Sequence, residues 1–237
     1  MKLYLFSLLL ILNLQSSKKK SSGNIIYGFQ ENHISSEEKD KNKELYGLLD
    51  KMNNATNHLN FILKFNENES LFFLENQMEN DLNPLTISYA KRIISKGKYY
   101  YNHEKEILLR ETDIYGDNTI IQSNPKNLKW TLTNESKYID TYITYKATTT
   151  IAKQNTSGKS HFKIEAWYTP EIQLPYGPNG YNGLPGLILE LKDVNYTFYV
   201  KKIKIQHNET LDIIPLSSKK TITEEEHLKN LLKRLKN

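Results

Sequence analysis

The chain of 237 residues contains no cysteine. Disulfides, thiolate metal sites, cysteine nucleophiles and a lipid-modified N-terminal cysteine are therefore excluded. Long apolar runs are also scarce. The one such run, Leu3 to Leu14, is shorter than the roughly 20 residues that a membrane-spanning helix needs. The sequence therefore predicts no transmembrane span.

The short apolar run is typical of an export signal. Lys2 precedes it, and Ser16 and Ser17 follow it, which gives the charged start, apolar middle and small-residue end of a secretory signal peptide. No polar face interrupts the run, and this disfavours a buried first helix. We expect residues 1–17 to be a signal peptide and residues 18–237 to form a single domain.

Several kinds of site are missing from the sequence. The net charge is +5, but apart from Lys18-Lys19-Lys20 the basic residues are scattered, so no nucleic-acid surface is predicted. The histidines are dispersed without a His-x-x-x-His pair, and no Gly-x-Ser-x-Gly or phosphate-binding glycine loop occurs. We therefore predict neither a metal nor a cofactor.

Strand patterns dominate the rest of the chain. Ile25, Tyr27 and Phe29 occupy alternate positions, and so do the large apolar residues of 59–65. Residues 59–75 resemble a hairpin with a turn at Asn66-Glu67-Asn68. Tyrosine, threonine and isoleucine are abundant in two longer candidates, 138–150 and 159–168. Further candidates are residues 98–102, 107–111, 119–122, 130–133, 187–191 and 196–205.

Helix signals are few. Leucines at helical spacing predict a helix within 40–52, and Pro84 is a suitable start for a short one through Ile94. Thr223 and Glu226 have the spacing of a capping box before an apolar stripe that predicts a C-terminal helix. We therefore expect a mainly β fold, an antiparallel curled sheet or half-barrel with a few helices.

One segment differs in composition from the rest. Residues 170–186 hold four of the seven prolines and four of the ten glycines, which fix an irregular backbone. Such a segment suits either recognition of an extended ligand or partner, or a structural connection that plugs the sheet core. The candidate binding residues are Trp167, Tyr168, Tyr176, Tyr181, Gly183, Leu184, Pro185 and Gly186.

These residues resemble a known family. Gly183-Leu184-Pro185-Gly186-Leu187-Ile188 is the motif that names the GLPGLI family of exported Bacteroidetes proteins, and the upstream block Ala166 to Ile172 is similar to that family's. The block Tyr142 to Thr149 also resembles the family's, although the cysteine often found there is absent. The similarity extends over most of residues 25–205.

The resemblance implies location more than chemistry. The family is exported to the periplasm or outer membrane, has no established function or catalytic residues, and is often encoded beside TonB-dependent transporters. We therefore expect a non-enzymatic binding or accessory protein of the envelope, whose partner is an outer-membrane transporter or another envelope protein. The sequence leaves open its oligomeric state and whether it is secreted.

Two alternatives stay open. The first is a periplasmic carrier that holds a lipid or other apolar ligand in a half-barrel cavity. The second is a hydrolase that uses two of the carboxylates Glu165, Glu171 and Glu190, which would have to face one cleft.

Overall fold

The computed structural model describes residues 21–32, 59–75, 97–114, 117–155, 158–194, 196–207, 209–217 and 220–235. These residues contain twelve β-strands and one α-helix. Their bounds are β1 Ser21–Glu31, β2 Phe61–Phe65, β3 Glu69–Leu74, β4 Tyr99–Asn102, β5 Ile107–Ile114, β6 Asp117–Ser123, β7 Thr131–Ile139, β8 Tyr142–Asn155, β9 Gly158–Thr169, β10 Leu187–Lys192, β11 Tyr196–His207, β12 Lys220–Thr223 and α1 Glu224–Leu235.

The twelve strands of the described residues form one sheet. Its order is β12-β6-β5-β4-β3-β2-β1-β11-β10-β9-β8-β7. Every neighbouring pair is antiparallel except β12 and β6, which run parallel. The sheet is open, because β12 and β7 are its edges and do not pair with each other. The predicted mainly β, antiparallel fold with a C-terminal helix is confirmed.

Most strands follow the sequence pattern closely. The predicted hairpin at 59–75 is confirmed as β2 and β3, and Asn66 Oδ1 accepts hydrogen bonds from the turn amides of Asn68 and Glu69 at 2.9 Å each. The strand predicted at 138–150 is divided by a turn at residues 140–141, so that Tyr138 and Ile139 end β7 and residues 142–150 belong to β8. The strand predicted at 159–168 is β9. β12 is not predicted, because its pairing depends on β6, which is distant in sequence. The predicted signal peptide, the lysines at 18–20 and the helices within 40–52 and 84–94 lie outside the described residues.

Alternation along the strands places the apolar core on one face of the sheet. Ile25, Tyr27 and Phe29 of β1 are fully buried, and the first two lie directly opposite Leu63 and Phe61 of β2. Side chains two residues apart in a strand share a face, so these residues define the core face of the sheet. The opposite side, which carries Trp167 of β9, is called the outer face.

A short connection limits the shape of the sheet. Residues 124–130 join β6, the second strand in the order, to β7, the twelfth. Ten strand spacings in a flat sheet amount to about 48 Å. The chain from Ser123 to Thr131 can span only about 28 Å even when fully extended. The open sheet must therefore bend, and its two ends approach each other.

The C-terminal helix begins as the sequence predicts. Glu226 N–H donates to Thr223 Oγ1 at 3.1 Å, and Thr223 N–H donates to Glu226 Oε2 at 2.8 Å, which confirms the capping box. Arg110 of β5 contacts Glu224 at 3.4 Å and ties the first turn to the sheet. No helix among the described residues is long and apolar enough to cross a membrane.

Candidate functional site

Residues 170–186, here called the Gly/Pro segment, pack over the core face of the sheet. Tyr176 and Leu184 are almost fully buried, and Tyr176 Oη donates to Glu67 O in the β2–β3 turn at 3.1 Å. The Tyr176 ring also lies edge-on to Tyr101 of β4 at 6.0 Å. The segment leaves β9 and enters β10, so these contacts join it to a distant part of the same sheet.

Backbone hydrogen bonds fold the segment back on itself. Gly183 N–H donates to Pro175 O, and Ile188 N–H donates to Tyr176 O, at 3.0 and 2.9 Å. A β-carbon on Gly186 would lie 2.1 Å from Thr169 O, so only glycine fits there. Gly183 adopts φ +85°, which disfavours other residues through the backbone alone. The Gly-Leu-Pro-Gly motif is thus a structural requirement of this turn.

Polar contacts fix the second half of the segment. Tyr181 Oη donates to the buried Asp193 carboxylate at 3.3 Å, and Asn179 Nδ2 donates to Tyr196 Oη at 2.9 Å. Burial raises the pKa of Tyr181, and the Asp193 carboxylate adds to the rise. Trp130, in the connection that links the sheet ends, donates through Nε1 to Asn182 O at 2.8 Å.

The predicted binding residues do not form one surface. Five of them are buried, and a ligand could reach them only if the fold opened: Tyr168, Tyr176, Tyr181, Leu184 and Gly186. Gly183 and Pro185 are exposed, while Trp167 is half-buried on the outer face. The alternative that the segment is a structural connection over the sheet core therefore accounts for its aromatic side chains. Binding at its exposed positions stays a prediction.

Trp167 belongs instead to a charged cluster on the outer face. Lys137 Nζ of β7 lies 4.4 Å from the centre of the Trp167 ring and contacts both carboxylate oxygens of Glu190 on β10 at 2.8 and 2.9 Å. Lys146 of β8 pairs with Glu135 at 3.1 Å. This hydrogen bond raises the pKa of Lys146. The cluster ties four neighbouring strands together.

The carboxylates considered for hydrolysis are already engaged. Glu190 is held by Lys137, and Glu165 lies 3.6 Å from Lys146. Glu171 accepts a hydrogen bond from Ile143 N–H at 3.1 Å. Across the described residues, no group of three or more acidic or histidine side chains is arranged to hold a metal ion.

Sequence reasoning missed an exposed apolar surface, here called the edge patch. Leu132 and Tyr138 of β7 and Ile143 and Tyr145 of β8 are 53, 71, 38 and 37% exposed. The register pairs Tyr138 with Ile143 and Leu132 with Ala147, so all four side chains lie on the core-face side. The alternation of β8 predicts that face. Only the strand order shows that β7 is an edge strand, which leaves this face uncovered at the edge patch.

The described residues define a protein with an open antiparallel β-sheet covered by a Gly/Pro-rich segment. Within it, residues 152–190 match a family described as "Protein of unknown function (Porph_ging)". The matched residues run from the end of β8 to β10 and include the Gly-Leu-Pro-Gly turn. The match confirms the GLPGLI-type resemblance seen in the sequence.

Solved structures with a similar fold exist. Two structures of PNGF-II, in space groups C2 and P21, each superpose with a TM-score of 0.50 at 14 and 15% sequence identity. Each alignment covers 91% of this chain but only 33 or 34% of the PNGF-II chain, so this chain spans about a third of that protein. At this identity the likeness concerns the fold alone. No curated protein matches the chain.

Proposed function

We propose that this chain is an exported, non-enzymatic binding protein of the cell envelope that docks a partner protein along β7. The observation that carries the proposal is the edge patch. Four of the large apolar side chains that are exposed in the described residues lie together on one face of the β7–β8 hairpin. Exposed apolar surface next to a strand edge is typical of a protein interaction site.

The edge itself suits the addition of a strand. No strand of the described residues pairs with the far side of β7. A β-bulge between Leu132 and Ser136 interrupts the ladder and leaves Ser136 to Ile139 as its regular part. An extended partner segment can add to such an edge through main-chain hydrogen bonds, while its alternate side chains cover Tyr138. Glu171, at the start of the Gly/Pro segment, adjoins this surface through Ile143.

The partner that we propose is an outer-membrane, TonB-dependent transporter. This choice rests on the family resemblance, which associates such proteins with these transporters. The carrier alternative would need an apolar cavity. The cavity between β3, β4 and the Gly/Pro segment measures only about 10 Å³, room for one water molecule and not for an acyl chain.

Site-specific crosslinking from β7 tests the proposal. Because the chain has no cysteine, an introduced cysteine is the only thiol that a maleimide can label. A Ser136→Cys variant carries a photoreactive maleimide at the exposed edge. Lys202→Cys, at an exposed position on β11, serves as the matched control. In the native envelope, we expect only the Ser136 probe to crosslink to a TonB-dependent transporter. Adding Tyr138→Asp to the Ser136 probe should abolish the adduct while the protein stays folded.

Three outcomes would count against the proposal. Equal adducts from both probes would mean that contact with the transporter is nonspecific. No adduct from the Ser136 probe would exclude docking at β7. An adduct with a different envelope protein would retain docking at β7 but exclude the transporter.

A further inference from the structure

A polar groove lies beside the N-terminal end of β7, away from the β7–β8 turn. β7 begins at Thr131, opposite Thr148 of β8, whereas β8 continues to Asn155. From residue 149 onward, no strand of the described residues pairs with the edge of β8 that β7 occupies before that point. The connection before β7 forms the other wall. The resulting groove has a volume of about 380 Å³, within the range of small-molecule sites.

The wall formed by the connection is held in place. Thr149 Oγ1 donates to Lys129 O at 2.8 Å, and Thr149 is nearly buried. Leu128 and Trp130, on either side of Lys129, pack against the core. The backbone at Lys129 is therefore fixed from both sides, while its side chain is exposed.

The lining of the groove has one sign of charge. Its only ionisable residues are Lys129 and Lys163, and the remaining lining residues are hydroxyl or amide side chains: Asn127, Thr131 and the threonines at 148–150. Ammonium groups donate hydrogen bonds and accept none, and each hydroxyl can donate one. Such a lining is complementary to the oxygen atoms of an anion.

The nearest carboxylate leaves the positive charge largely available. Glu165 lies 3.7 Å from Lys163, but the Lys163 side chain is 63% exposed, so the pair is weak. Glu165 also lies 3.6 Å from Lys146, farther along the outer face. Lys129 and Lys163 are therefore the groups that can attract an anion to the groove.

We propose that this groove binds the oxyanion group of a small, hydroxyl-bearing ligand, such as the carboxylate of a sugar acid or a phosphate. The ammonium groups of Lys129 and Lys163 contact the anion, and Asn127 and the hydroxyls of Thr131, Thr148 and Thr150 contact the remaining oxygen atoms, since the Thr149 hydroxyl is engaged with Lys129 O. The site is separate from the edge patch. Its ligand does not need the transporter, and transporter docking does not need the ligand.

Titration of the isotope-labelled full-length protein with glucuronate, glucose and inorganic phosphate tests this site by NMR. We expect glucuronate to shift the amide signals of residues 127–131 and 148–150 with saturation in about the millimolar range, and glucose to shift none. Saturation by phosphate as well would assign binding to the anion alone. Saturation by phosphate but not glucuronate would assign the ligand as a phosphate. Either result supports the site.

Charge removal provides the matched comparison. Lys129→Gln and Lys163→Gln should each weaken binding about tenfold, the effect of losing one charge-assisted contact. Lys202→Gln, on β11 outside the groove, should leave it unchanged. The proposal is overturned if neither anion saturates, if the shifted signals lie elsewhere, or if Lys202→Gln weakens binding as much as the groove variants.

Discussion

At the scale of single residues, the Gly-Leu-Pro-Gly motif has two glycines with different physical roles. Gly186 lies against the backbone of β9, where a β-carbon would be 2.1 Å from Thr169 O. Gly183 has no atom within 4 Å of its virtual β-carbon, but its φ of +85° is unfavourable for other residues. Packing therefore requires glycine at position 186, and backbone conformation favours it at position 183.

These roles predict different costs of substitution. Gly183→Ala should lower the free energy of unfolding by about 1–2 kcal/mol, the cost of a left-handed conformation. Gly186→Ala should cost more than about 3 kcal/mol, because the backbone of β9 or the turn must move. Urea unfolding followed by circular dichroism measures both. Equal losses would contradict the assigned roles.

At the scale of the elements, the sequence predicts where strands lie better than it predicts which strands pair with each other. Alternation and turn residues such as Asn66 identify β2, β3, β8 and β9, because these signals are local. The pairing of β12 with β6 and the passage of residues 124–130 between the sheet ends depend on distant parts of the chain. No local pattern encodes them.

The same distinction explains the candidate site. The glycines and prolines at 170–186 correctly predict a fixed, irregular course. Whether Tyr176 faces solvent or core depends on Tyr101 and Glu67, which are distant in sequence. The edge patch could not be predicted either, since exposure of Tyr138 follows from the position of β7 at the end of the strand order.

The outer-face cluster predicts energetic coupling between elements. Lys137 on the edge strand reaches across β8 to Trp167 and Glu190, so it holds β7 to the interior of the sheet. A double-mutant cycle of Lys137→Met and Trp167→Leu, measured by urea unfolding, should give a coupling energy of about 0.5–1 kcal/mol.

The cycle has its own control. Lys204 is an exposed lysine on β11 and has no ring contact with Trp167. Lys204→Met combined with Trp167→Leu should show no coupling. Coupling that is equally small in both cycles would mean that the cluster does not stabilise the edge strand.

At the scale of the whole molecule, tyrosine contributes a large part of the core, since at least seven of the 16 tyrosines are buried in the described residues. Burial raises the pKa values of Tyr27, Tyr176 and Tyr196, and it raises those of Tyr99 and Tyr100 to about 12. The unfolded chain releases these protons near pH 10. The folded state keeps them, so their contribution to stability is complete below about pH 10 and is lost as the pH rises towards the folded pKa values.

Alkaline unfolding should therefore be steep and should depend on the buried phenols. We expect the free energy of unfolding to fall from about pH 10 upward, with absorbance at 295 nm rising as the protein unfolds. Tyr176→Phe removes one buried phenol and should reduce the slope by about 1.4 kcal/mol per pH unit. Ile143→Val, at an exposed side chain that has no ionisable group, should leave the slope unchanged. If both variants keep the original slope, the buried tyrosines do not govern alkaline stability. Another ionisable group must then cause the loss of stability at high pH.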